Sequence, residues 1–181
     1  MSSITVKKDI PGIVQFLREL RQNAVESGLF ANLVSEQTMI AATVQEFGAV
    51  IKMTDQMRKW FWAQMAKYGL RKKAATGSKS ESTGFIVIPA RPFVQGGLQR
   101  QASNILEAAD RLTVSGLQRK ISAQDALRAI GLMMERAMKD EINRITEPPL
   151  HPLTVAMKGS EKPLVRTGAM RAAITSRVVS R

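Results

Sequence analysis

"FIVIPARPFVQGG" (residues 85–97) begins as a strand and is stopped within five residues. Phe85, Ile86, Val87 and Ile88 are apolar and β-favouring. Pro89 and Pro92 lack the amide donor that a ladder requires. The spacing predicts a strand over 85–88, a stiff joint over 89–92 and a helix beyond. Arg91 is held extended because it precedes Pro92. Its guanidinium is expected to point at a carboxylate or a C-terminal carbonyl, with Phe93 buried ahead of a Gly96–Gly97 hinge.

The flanking segments mix helix and strand. Residues 10–27 are expected to be helical: Asp9 can cap, Pro11 suits the first turn, and Ile13, Leu17, Leu20 and Ala24 recur at helical spacing. Gly28 is the natural stop. Met39 to Val44 is small, apolar and partly β-branched, which predicts a strand near 38–45 that turns out at Gly48. Thr54 or Asp55 caps a helix ending at Gly69. After "PARPF", Leu98, Ile105 and Leu112 mark a long helix that Gly116 is expected to break. Ser122 and Asp125 resemble a capping box. Behind them Leu127, Ile130, Met134, Met138 and Ile142 line a helix to about Ile145. Prolines in "TEPPLHPLT" end it, "VAMKGSEKP" reads as a loop or a single helical turn, Thr167 can cap a short "GAMRAA" helix, and "ITSRVV" closes as a strand. This order implies an α+β fold, a small mostly antiparallel sheet packed with several helices.

At 181 residues the chain is expected to form a single domain, 1–181, with a mobile basic loop at about 71–84, since "RKKAATGSKSESTG" has no apolar anchor. No window approaches the roughly 18 apolar residues of a membrane span. The N-terminus has no apolar region of the signal-peptide kind. Cysteine is absent, which excludes disulfides, thiolate-bound zinc and thiol nucleophiles. Net charge is +12, with seven Lys/Arg and no acid from Arg58 to Lys79, and six Lys/Arg against Glu161 alone from Lys158 onward. Such runs attract polyanions or acidic protein surfaces when they are more than a solvated face.

Catalytic chemistry has little to stand on. His151 is the only histidine and has no visible nucleophile or orienting partner. The acids of "MERAMKDEINR" alternate with bases around a helix. No metal-ligand spacing and no phosphate loop is present. The expectation is a non-enzyme without cofactor or metal. Consecutive Trp60, Phe61 and Trp62 cannot share one helical face. A core helix with one amphipathic flank is the plainer reading of 55–68, and a base-stacking surface the sharper one.

Three stretches, in order, resemble the tailed-phage virion-morphogenesis family: "IAATVQEFGAVIKMTDQMR" (40–58), "IVIPARPFV" (86–94) and "PPLHPLTVAMKGSEKPLVRTGAMRAAITSRV" (148–178). Arg166 stands where that family usually has an acid before "TG", and Ala173 where it usually has serine. The resemblance implies a structural protein of the phage neck, acting in head–tail joining or tail completion. It would be assembled in the host cytoplasm and found in the virion, as a ring of copies of itself. Its partners would be head connector or adaptor proteins and tail tube or tail terminator proteins, with non-specific contact with packaged DNA and none with membrane. Candidate interface residues are Glu46, Phe47, Arg91, Phe93, Arg166, Thr167 and Gly168. Candidates facing DNA or an acidic partner are Arg58, Lys59, Arg71, Lys72, Lys73 and Lys79. The alternative is a sequence-independent nucleic-acid-binding module using helix 55–68 and loop 71–84, whose binding would weaken steeply with salt.

Overall fold

A computed structural model describes residues 9–70 and 84–181; of the expected mobile loop, 71–83 lies outside them. The fold is α+β, with seven helices and two antiparallel two-stranded sheets among the described residues. The chain divides into two compact units, each assembled from separated stretches.

The first unit takes the chain up to Phe30, Val94–Asp140 and Ile174–Arg181. Helix α1 (Ile10–Gln22) starts at Asp9, whose carboxylate accepts from the Gly12 amide at 3.2 Å. It stops five residues earlier than expected, because 23–28 is not helical. That segment is β1 (Asn23–Gly28), paired antiparallel with β4 (Thr175–Ser180), Val25 opposite Val178 and Glu26 opposite Arg177. The local pattern still reads as helix; the hydrogen-bonding partner lies some 150 residues away, where no periodicity in 10–28 can reveal it.

Helix α4 (Phe93–Leu117) includes both glycine sites. The hinge expected at Gly96–Gly97 is continuous helix. A Cβ on Gly97 would lie 2.7 Å from the Ala137 carbonyl oxygen, so glycine there lets α4 approach the backbone of α5 (Ala123–Arg144). Gly116 is the last residue but one of α4, close to the expected break. Its missing side chain makes room for the Phe16 ring, and Phe16 is buried. Two residues past the helix end, Arg119 takes the left-handed φ of 61° usually left to glycine or asparagine. Arg119 also pairs with Asp9 at 3.3 Å. The Ser122 half of the expected cap of α5 is present: Ser122 Oγ accepts from the Asp125 amide at 3.1 Å and donates to the Asp125 carboxylate.

The second unit takes Ala31–Phe93 and Glu141–Ala173. Its first element corrects the strand expected at 38–45. That stretch is α2 (Glu36–Phe47), capped by Ser35, whose hydroxyl accepts from the Thr38 amide. Threonine and valine weigh against helix by only a few tenths of a kcal/mol each, less than one good cap contributes. Gly48, at φ 75°, ends α2 and starts β2 (Ala49–Lys52), which pairs antiparallel with β3 (Phe85–Ile88). Between them lies α3 (Asp55–Lys67), capped by Thr54. The segment 155–163, expected as loop or single helical turn, supplies the last turn of α6 (Pro152–Lys158), which starts earlier, in the proline-rich stretch. The short α7 (Ala169–Ala172) lies against α2 and starts from Gly168, not Thr167, in left-handed conformation.

Candidate interaction site

The part of the opening stretch up to Phe93 sits in the second unit as a joint tied on several sides. The Arg91 amide donates to the Gln45 carbonyl at 2.6 Å. Its Nε and Nη2 donate to the Pro148 carbonyl at 3.0 and 2.7 Å, and Nη2 also reaches the Pro149 carbonyl at 3.2 Å. Nη1 donates to Gln45 Oε1 at 3.1 Å and, more weakly, to the Pro89 carbonyl. The expected carbonyl target is thus found in the proline turn after α5. At 3% exposure Arg91 is interior, and burial lowers its pKa from the ordinary arginine value. Phe93 is 1% exposed and Glu46 is buried as well. These three candidate interface residues therefore belong to the unit's own interior.

The remaining interface candidates reach solvent. Phe47 is largely exposed, as are Arg166 and Thr167, whose hydroxyl accepts from the Ala169 amide at 3.3 Å. Lys158 donates to the carbonyls of Lys162 and Pro163. Burial lowers its pKa, with Arg91 and Arg166 adding positive charge nearby. Sequence reasoning missed this cationic neighbourhood because its members lie up to 75 residues apart. It also missed the task of His151, whose Nδ1 accepts from the Leu153 amide and caps α6.

From the Arg91 joint the chain leads directly into the β2–β3 ladder. Register places Val50, Lys52, Phe85 and Val87 on one face. All four are exposed. Both outer edges of the ladder lack a strand partner among the described residues.

Helix α3 has no buried residue. Met57, Phe61, Gln64 and Met65 form a half-buried stripe, and Trp60 and Trp62 flank it at 46% and 47% exposure. The core reading of this helix is corrected: only its stripe is sheltered, and only partly. Trp60 meets Phe61 edge-on, centroids 5.0 Å apart. Among the candidates for a polyanion, Lys59 is exposed and Arg58 half-buried, its Nε enclosed without a hydrogen-bond partner. Arg71, Lys72, Lys73 and Lys79 lie outside the described residues. Among the described residues no group of three or more His, Cys, Asp or Glu could hold a metal, and no helix is long and apolar enough to cross a membrane.

Compared with protein-family models, curated proteins and solved structures, the chain matches none.

Proposed function

We propose that the chain is a non-catalytic structural protein of a tailed-phage virion. It forms part of the neck, at head–tail joining or tail completion, as a ring of copies between head connector and tail proteins. One observation carries the reading beyond the three resembling stretches. Among the described residues fourteen hydrophobic side chains are buried, five of them alanines, while seventeen large ones are exposed. Scattered apolar residues on a surface are ordinary. Here nine of the seventeen lie on β2–β3, α3 and α1, four of them on the β2–β3 strands alone, which suits a chain that completes its burial by assembling. Quantitative mass spectrometry of gradient-purified particles tests it. The expected result is a fixed small-multiple stoichiometry alongside other neck components, and absence from finished particles rejects the role.

A second reading has its own support. Trp60 and Trp62 are half exposed on a helix that also carries Arg58, Lys59 and Lys67. Aromatic rings among cations are what single-stranded nucleic acid stacks upon. In that case the monomer binds oligonucleotide, affinity falls steeply with salt, and Trp62→Ala weakens it.

A further inference from the structure

The chain carries both halves of a helix-on-sheet layer, and among the described residues nothing buries either half. One half is the β2–β3 face, where Val50, Phe85 and Val87 are between 51% and 69% exposed. The other is on α1. Ile10, Val14 and Leu17 stand at i, i+4 and i+7, which sets them on one side of the helix, and they are between 46% and 61% exposed. The buried residues of α1, Gly12 and Phe16, point the opposite way. This stripe is therefore surplus to the helix's own packing.

We propose that α1 of one copy lies over the β2–β3 face of the next copy. The inference rests on the ring reading and assigns it one contact. A sheet face normally buries itself against a helix, and within this same chain α5 does so for β1–β4. Charge selects the occupant. In a chain of net charge +12, copies meet without repulsion only where charge is sparse. The β2–β3 strands carry Lys52 alone, at the ladder's end, and the α1 stripe is uncharged from Ile10 to Leu17, with exposed Arg18 on its flank one turn beyond Val14. Area agrees: the six side chains leave roughly 600 Å² of apolar surface in water, about the apolar share of the smallest stable interfaces. The contact joins different patches on the two copies, so it propagates head to tail and closes into a ring when the rotation allows.

The absence of cysteine makes the test direct. Val14→Cys and Val87→Cys each place a single thiol on one half. Mixed and treated with a short bismaleimide, the two single variants are expected to join to each other, and the double variant to give a ladder of covalent oligomers. Dimerisation of Val87→Cys alone with equal yield overturns the contact in favour of face-to-face pairing. So does cross-linking of the double variant only within one chain. Native mass spectrometry separates this contact from the ring itself. A wild-type ring that persists in Val14→Lys and Val87→Lys overturns the contact and leaves the ring reading standing. A wild-type chain that stays monomeric and is absent from particles overturns both.

Discussion

The two ladders have the same size class, the same antiparallel pairing and opposite surroundings. β1–β4 is covered on one face by α5. Gly131 leaves room for Ser176 and Val25, and the Ser176 hydroxyl donates to Glu135 at 2.8 Å. Its other face carries the Glu26–Arg177 pair at 2.8 Å, with Arg177 stacked over Phe30. β2–β3 has neither cover nor cross-strand ion pair on its Val50–Val87 face and is held from its end, through Arg91. Isolated two-stranded ladders are marginal in water, and charge on exposed strands deters association. The first ladder packs one face within the chain; the second keeps Val50, Phe85 and Val87 exposed.

Removing the end support is the largest expected effect. Arg91→Met leaves the Pro148, Pro149 and Gln45 acceptors without their donor in an interior site, costing about 3 kcal/mol. Hydrogen exchange should show the β2–β3 amides losing protection while β1–β4 keeps its own. Equal loss in both would break the contrast between a ladder held at its end and one held by its face.

Crowding the covered face comes next. A Cβ on Gly131 would sit 2.6 Å from Ser176 Oγ, so Gly131→Val should cost about 2 kcal/mol in urea unfolding. A neutral result would mean α5 does not grip β1–β4.

Glu135→Gln probes the same grip with a smaller effect and a pH signature. Burial pushes the Glu135 carboxyl up, but the Ser176 hydroxyl and the Lys139 ammonium outweigh it, and its pKa ends below the ordinary value. A carboxylate depressed on folding stabilises the fold above its ordinary pKa and loses that contribution as pH falls through the folded value. The variant should therefore trail wild type by about 1 kcal/mol at pH 7, with the gap closing below about pH 4. A gap independent of pH would assign the loss to packing alone.

The smallest effect on stability belongs to the bare face. Val87→Thr should change unfolding free energy by less than about 0.5 kcal/mol. Sedimentation should nonetheless show weaker self-association. A large stability loss would mean that Val87 is covered within its own chain.

Much of the fold was legible where the cause is local. Asp9, Ser122 and Thr54 cap as their positions suggest, Pro89 ends β3, and the apolar stripe of 127–142 is α5. The failures share a pattern. Residues 38–45 read as strand by β-branching with Gly48 as the exit, but Ser35, outside that window, caps a helix that Gly48 ends. Gly96 and Gly97 look like a hinge along the chain, yet the helix runs through them and Gly97 gives room to the Ala137 backbone. Of the candidate surface, the residue types at 47, 50, 60, 62, 85 and 87 were visible, but not that they remain uncovered.

Residue order alone was enough to establish the mixed class, the basic charge, the lack of cysteine and most helix starts, because caps, prolines and periodicity act over a few residues. The tertiary structure was needed for the strand pairings, the interior place of Arg91 and the identity of the bare faces. Each of these depends on groups far apart in the chain, and burial is a property of what lies across from a side chain, not of its neighbours in sequence.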